Sequence, residues 1–226
     1  MKGVINTMEN ENLDENMIMK ALDWGYDSAV NGLGVFPTAE NFAKEYLENN
    51  NNNPVEAAES LVNWQMSKAA TSGFITGLGG FVTLPVAIPA NVSSVLYIQI
   101  RMITAIAVMG GYDLHSDEVK TLVYTCMTGS AAADILKDVG IKLGTKITTV
   151  MIKRISIETI KQVNKSVGFR LLTKFGTTGI VNLGKMLPLI GGLVGGGFDA
   201  VSTKTIGKIS IKAFLSEKAD GSIEKV

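Results

Sequence analysis

Nucleophilic catalysis is the first chemistry to test, because the chain has one histidine and one cysteine, and the histidine adjoins a serine and an aspartate. Asp113, His115 and Ser116 fall within four residues, and Cys126 follows in the next predicted helix. A Ser-His-Asp triad needs its base between the nucleophile and the orienting acid in space, which immediate neighbours rarely allow. The pattern favours a loop in which Ser116 caps the next helix. We therefore predict no catalytic residue.

A metal centre or a phosphate-binding loop would need residues that this chain does not supply. One histidine and one cysteine are too few for a zinc site. The glycine-rich runs 77–80 and 191–197 lack the Gly-Lys-Ser/Thr ending of a P-loop, and neither follows a predicted strand. We predict no metal and no cofactor. Glycines at this spacing favour close helix packing instead, and the candidates are Gly77, Gly79, Gly80, Gly191, Gly192, Gly195 and Gly196.

Two isolated charges fall in the most apolar parts of the chain. Arg101 is the only full charge in the run 73–111, and Asp199 is the only charge in a second apolar run near the C-terminus. Because burying an unpaired charge strongly destabilises a fold, we expect these two side chains to pair across the core. Gln99 and Asn91 are expected beside them. A buried ion pair that fixes the helix register is the favoured interpretation, and a ligand site is the alternative.

Charge is unevenly distributed along the chain, although its formal net charge is zero. Residues 1–59 hold eleven acidic and three basic residues, whereas residues 139–215 hold two acidic and twelve basic ones. Eight basic residues fall in the amphipathic stretch 140–175: Lys142, Lys146, Lys153, Arg154, Lys161, Lys165, Arg170 and Lys174. Such a stretch is typical of a helix that lies against anionic lipid or another anionic partner. The alternative is that acidic N-terminal helices fold over it.

Helical periodicity runs through most of the chain, and no segment shows the two-residue alternation of a half-buried strand. The pattern predicts helices over 13–31, 38–47, 53–70, 89–109, 117–138 and 198–215, and a helix or a helix pair over 140–175. Thr38 and Asn53 are the predicted caps of the second and third helices. Glycine and proline break the apolar runs 73–87 and 176–197 into helical hairpins or broken helices. The predicted fold is all-α: a single-domain multi-helix bundle over 13–215, with the two broken hairpins at its centre. Residues 1–12 are predicted to be flexible, and residues 216–226 to form a polar tail.

The location of the protein is predicted from its one cysteine and its apolar runs. A lone cysteine and an N-terminus without an apolar segment favour the cytoplasm. Residues 73–98 carry no charge and are long enough to span a bilayer, but Pro85 and Pro89 interrupt them. We expect peripheral attachment to a membrane, with integral insertion in the inner membrane as the alternative.

Four motifs carry a family resemblance. They are Gly73-Phe-x-x-Gly-Leu-Gly-Gly-Phe81, Leu84-Pro-x-x-Ile-Pro89, Leu96-Tyr-x-Gln-x-Arg-Met102 and Leu187-Pro-Leu-Ile-Gly-Gly-x-Val-Gly-Gly-Gly-Phe-Asp199. Through them the chain resembles the bacterial EcsC family over residues 55–215. The resemblance implies a helical protein that is encoded, in the founding case, beside an ABC transporter. It supplies no catalytic residue.

These patterns together predict a non-catalytic helical protein that binds a membrane surface or lipid and supports an ABC transporter or an envelope process. Nucleic acid is not an expected partner, because the basic stretch has no aromatic residue for base stacking before Phe169. One alternative is a hydrolase acting on lipid or peptide, with a deep pocket beside Asp134, His115 or Asp199. Another is a soluble adaptor for a protein partner.

Overall fold

The computed structural model describes residues 14–69, 90–143, 147, 149–175 and 193–215. Numbered in chain order, its helices are α1 (Glu15–Asn31), α2 (Ala39–Asn49), α3 (Pro54–Ala69), α4 (Ala90–Met109), α5 (Asp117–Met127), α6 (Ala132–Asp138), α7 (Thr149–Ile152), α8 (Ile157–Phe175) and α9 (Leu193–Phe214). A short 3-10 turn at Gly129–Ala131 joins α5 to α6. Within the described ranges there is no strand, and one isolated antiparallel bridge joins Leu33 to Phe36. The all-α prediction is confirmed.

Some predictions fall on residues that the structure does not describe. They are the flexible segment 1–12, the hairpin 73–87, residues 176–192 of the second hairpin, the tail 216–226, and the packing glycines Gly77, Gly79, Gly80, Gly191 and Gly192. These stay predictions. Gly195 and Gly196 lie within helix α9.

Short polar side chains begin the helices, as the sequence predicts. At the start of α2, Thr38 Oγ1 accepts a hydrogen bond from the Asn41 N–H at 3.2 Å. At the start of α3, Asn53 Oδ1 accepts the N–H of Val55 at 3.1 Å. Each cap satisfies one of the N–H groups that the first turn of a helix leaves without a partner. The predicted caps of α2 and α3 are confirmed.

Helix α4 lies at the centre of the bundle and packs against α1, α2, α3, α5 and α9. Every side chain from Leu96 to Ala107 is buried, on all sides of the helix. A helix that is apolar around its whole circumference needs neighbours on every side. The polar side chains within α4 must therefore find their partners inside the protein.

Helix α8 belongs to a second layer, where it packs on α1 and α5. Its side toward the bundle carries Val163, Val167 and Leu171, which are buried and lie about one turn apart. Helices α1 and α5 also pack on α4, so they connect the two layers. The basic stretch of the sequence thus reaches the bundle through its apolar side.

The stretch predicted as one helix over 117–138 is broken in the structure. Gly129 has a φ of +62°, in the left-handed region that favours glycine. Helix α5 therefore ends at Met127, and α6 begins at Ala132 after the 3-10 turn. The apolar period continues across the break, which is why periodicity alone did not reveal it.

The basic stretch folds as a helix pair, one of the two forms predicted for it, and the last predicted helix has a different start. The stretch 140–175 contains α7 and α8, and Ser156 Oγ caps α8 by accepting the Thr159 N–H at 3.2 Å. Helix α9 begins at Leu193 rather than at Phe198, so glycines 195–197 continue a helix. Glycine lowers helix propensity, but neighbouring helices can override that preference.

Helices α3 and α9 make the most extensive contact in the described bundle, and Gly207 lies at their crossing. A Cβ atom added to Gly207 would stand 2.6 Å from Val62 Cγ1 and closer still to Cγ2. A real Cβ atom does not tolerate such separations, so the two helices can cross this closely only because residue 207 has no side chain.

We expect Gly207→Ala to lower the free energy of unfolding by about 1–3 kcal/mol, because the added methyl overpacks the α3–α9 crossing. Gly168→Ala in α8 is the matched control: its Cβ would meet Met19 at an ordinary 3.6 Å. That change should be neutral or stabilise by up to about 1 kcal/mol, since alanine favours helix. Urea unfolding of both variants measures the difference. Equal stabilities would show that the crossing does not depend on Gly207.

Candidate functional site

The turn before α5 contains the residues that could have formed a triad, and it is a capped turn. The Ser116 hydroxyl donates to the Glu118 carboxylate and accepts the Val119 N–H at 3.4 Å. The first of these bonds holds the pKa of Glu118 below its usual range. The His115 backbone N–H donates to Asp113 Oδ1 at 2.9 Å. The predicted cap at Ser116 is confirmed, and its hydroxyl is engaged in stabilising the helix start.

Cys126 lies in α5 and is 1% exposed. Burial raises the pKa of its thiol to about 12, and a hydrogen bond with Ser210 only partly opposes that shift. A nucleophilic cysteine needs the opposite environment, one that stabilises the thiolate. Over the part of the chain that the structure describes, no group of three histidine, cysteine or acidic side chains is placed to hold a metal ion.

Arg101 faces α2. Its Cζ atom lies 3.5 Å from the ring centroid of Phe42 and 5.3 Å from that of Phe36. Burial lowers the pKa of Arg101, against the opposing influence of Tyr97, Glu45 and Tyr46. The aromatic rings, which sequence analysis did not link to Arg101, attract the cation through their negative faces.

Gln99 points to another side of α4 from Arg101. Its Nε2 donates to Thr203 Oγ1 of α9 at 3.3 Å. The structure therefore does not bring Gln99 and Arg101 to one site. The side chains of Asp199 and Asn91 lie outside the described residues, so the predicted Arg101–Asp199 pair stays a prediction.

The outward side of α8 carries basic side chains together with exposed apolar ones. We define the α8 face as Ile157, Lys161, Lys165, Phe169 and Arg170, all of which are exposed. Ile157 is 66% and Phe169 58% exposed, which is high for large apolar side chains. Lys161 and Lys165 lie one turn apart on this face, whereas Arg170 lies half a turn around the helix from Lys161. The one acidic residue of α8 is Glu158, which is also exposed.

The remaining predicted basic residues lie near the two ends of α8. Lys153 and Arg154 are exposed in the turn before it, and Lys142 is exposed farther upstream. Lys174 is partly buried and donates to Ser202 Oγ of α9 at 2.8 Å. Lys146 lies outside the described residues.

The acidic side chains of α1 do not pair with the cations of the α8 face. Its Asp23 and Asp27 reach Lys120 of α5, at 2.8 and 4.0 Å. The remaining ion pair among the described residues joins two side chains of α2. Where α1 meets α8, Met19 and the Cβ of Glu15 lie against Gly168. The acidic helix thus packs on the apolar side of α8 and leaves the α8 face in solvent.

A family comparison covers most of this architecture. The family model of the EcsC protein family matches residues 33–215, from the turn before α2 to the end of α9. The chain belongs to the EcsC protein family. The predicted resemblance is confirmed, and it extends farther toward the N-terminus than the motifs indicated. Comparisons with the curated proteins and with the solved structures found no match.

A cavity of about 380 Å³ lies beside the end of α6 in this EcsC-family protein. Its lining consists of small, apolar and basic residues: Ala133, Lys137, Gly140, Ile141, Lys142 and Leu143. The hydrolase alternative expects a pocket beside Asp134, His115 or Asp199, and none of these lines this cavity. As for membrane insertion, no helix in the described ranges is both long and apolar enough to cross a bilayer.

We expect Cys126 to resist alkylation in the folded EcsC-family protein. With a pKa of about 12, roughly one thiol in ten thousand is ionised at about pH 8, and burial also excludes the reagent. Iodoacetamide should modify Cys126 only as fast as the protein unfolds, and quickly in concentrated guanidinium chloride. Mass spectrometry of timed samples measures both rates. Rapid stoichiometric modification of the native protein would contradict the buried position.

Proposed function

We propose that this EcsC-family protein binds anionic membrane surfaces through the α8 face. The observation that carries the proposal is the exposure of Phe169 and Ile157 among cations that make no ion pair in the described structure. A merely solvated face favours charged residues and has no need of exposed aromatic or branched apolar side chains. A helix that lies in a lipid interface uses both kinds of residue.

The energetics favour a reversible attachment. Each lysine or arginine close to an anionic leaflet contributes about 1 kcal/mol. Lys161, Lys165 and Arg170 supply that attraction on the α8 face, and Lys153 and Arg154 add to it from the preceding turn. Burying Phe169 in the headgroup region contributes about 2 kcal/mol more. Electrostatic attraction and shallow apolar insertion therefore act together, without a membrane-spanning segment.

The two contributions respond differently to salt. The attraction between exposed charges and anionic lipid weakens as the Debye length shortens from about 10 Å at 0.1 M to about 3 Å at 1 M. Apolar insertion does not depend on that screening. Membrane binding through the α8 face should therefore fall steeply with salt and retain a small component that depends on Phe169.

We expect Lys161→Glu/Lys165→Glu to weaken binding to phosphatidylglycerol-containing liposomes by about 100-fold or more at low salt, because each reversal replaces attraction by repulsion. The matched control is Lys204→Glu/Lys208→Glu, which makes the same change of net charge at two exposed lysines of α9. The control should retain most of the binding. Liposome flotation with and without anionic lipid, at two salt concentrations, measures the effect.

Phe169→Ala should weaken binding by about tenfold at both salt concentrations, because it removes apolar insertion and leaves the charges. Equal losses in the two charge-reversal variants would show general attraction of the whole protein and no role for the α8 face. A wild-type protein that does not float with anionic liposomes would reject the proposed function.

A further inference from the structure

Helix α4 presents two polar side chains, Tyr97 and Arg101, one turn apart and toward the segment that contains Phe36 and α2. The Phe36 ring contacts both: its centroid lies 5.7 Å from that of Tyr97 and 5.3 Å from Arg101 Cζ. Phe42 lies closest to the guanidinium. Tyr97 is 1% exposed and Arg101 is 8% exposed. Both polar side chains are thus enclosed by the same aromatic wall.

Each of these two side chains has one buried polar atom without a partner. The Tyr97 hydroxyl and Arg101 Nε are buried and make no hydrogen bond among the described residues. The described residues also give Arg101 no carboxylate within ion-pair distance. Phenyl rings attract a cation, but a guanidinium has five N–H donors that need oxygen acceptors. Buried donors without acceptors normally cost stability, so their persistence here needs a reason.

Glu45 of α2 is the carboxylate whose charge reaches this site, and it is exposed to solvent. Its attraction does not offset the effect of burial, which still lowers the pKa of Arg101. A solvated carboxylate at a distance is strongly screened. The described part of the protein therefore supplies no complete counter-charge for Arg101.

We propose that Tyr97 and Arg101 bind an oxyanion, a carboxylate or a phosphate, at the head of an amphiphilic molecule between α4 and the turn at Phe36. The Tyr97 hydroxyl and the Arg101 guanidinium are donors, and one oxyanion can accept from both. The site lies on α4, away from the α8 face, and does not depend on the proposed membrane attachment.

The surroundings of the site favour an amphiphile over an inorganic ion. Trp24 extends the aromatic wall, with its ring centroid 5.9 Å from that of Tyr97. The tight turn beside Phe36 has Gly34 at a φ of +57° and carries Val35, which is 76% exposed. Apolar side chains thus continue from the buried donors toward the surface, where an alkyl chain would lie.

The test is calorimetric titration of the full-length protein with short-chain amphiphiles that share one tail. Octanoate and octyl phosphate carry the expected oxyanion, and octyltrimethylammonium carries a cation. Acetate and inorganic phosphate supply the head without the tail. We expect the two anionic amphiphiles to bind more tightly than the cationic one by about 100-fold, as for hydrogen bonds to charged groups. Binding by acetate or phosphate as tight as by their octyl forms would overturn the assignment to an amphiphile.

Two variants separate a binding role from a structural one. Arg101→Met keeps much of the packing on Phe42 and removes the charge. We expect it to weaken octyl phosphate binding by about 100-fold while the thermal midpoint of the ligand-free protein stays equal or rises. Tyr97→Phe removes only an unpartnered hydroxyl. It should fold with unchanged stability and bind about tenfold more weakly.

Other outcomes would overturn the proposal. One is an Arg101→Met variant that loses stability while Tyr97→Phe binds octyl phosphate like the wild type, because Arg101 would then be a structural partner of Phe42. Another is a loss of stability in Asp199→Asn that equals the loss in Arg101→Met and does not add to it. That result would identify Asp199 as the counter-charge and restore the predicted ion pair. Absence of binding by any anionic amphiphile would also reject the site.

Discussion

The burial of α4 on all sides is the constraint on which the rest of the described structure depends. Five helices pack around it, and each polar group of α4 therefore needs a hydrogen-bond or charge partner inside the protein. Thr104 turns its hydroxyl back to the carbonyls of Ile100 and Arg101, at 3.0 and 3.1 Å. Gln99 reaches Thr203 on α9. Three groups of α4 are exceptions, because Gln99 Oε1, the Tyr97 hydroxyl and Arg101 Nε make no hydrogen bond among the described residues. The charge of Arg101 is met by aromatic faces.

Helix α1 connects the two layers, because one of its sides packs on α4 and another packs on α8. Toward α4 it presents Gly25, where an added Cβ would stand 2.8 Å from Ile100 Cδ1. Toward α8 it presents Met19. Its exposed acids are drawn to Lys120, and Asp23 also accepts from the Tyr124 hydroxyl at 2.8 Å. Because α5 takes up these acids, the acidic side chains of α1 do not pair with Lys161, Lys165 or Arg170 of the α8 face.

The helices and their caps could be predicted from the sequence because both depend on neighbouring residues. Thr38, Asn53 and Ser116 are short polar side chains at the start of apolar periods, and the structure uses each as a cap. Gly129 could not be recognised in the same way, since the apolar residues on either side keep a helical period. Its left-handed φ is a property of the folded backbone that the apolar pattern does not indicate.

The environment of Arg101 shows why charge patterns predict a site only in part. A lone charge in an apolar run indicates that something must compensate it, and the sequence offers Asp199 as the simplest partner. The contact with Phe42 depends on how α2 packs against α4, and no local pattern encodes that. Aromatic residues usually indicate core packing, so neither Phe36 in the turn before α2 nor Phe42 in α2 was distinguishable from other core residues before the fold was known.

The α8 face and the site at Arg101 differ in how strongly solvent screens their charges. On the α8 face, solvent screens each cation, so several are needed and none is individually decisive. Around Arg101, the low dielectric of the interior strengthens the attraction of a single cation for an anion. The same low dielectric increases the loss of stability caused by a donor that has no acceptor. A protein that kept such a group only for stability would do better with an apolar side chain of the same size. Retaining an arginine beside an equally unpartnered tyrosine is therefore understandable if the two act together on an anion that arrives from outside.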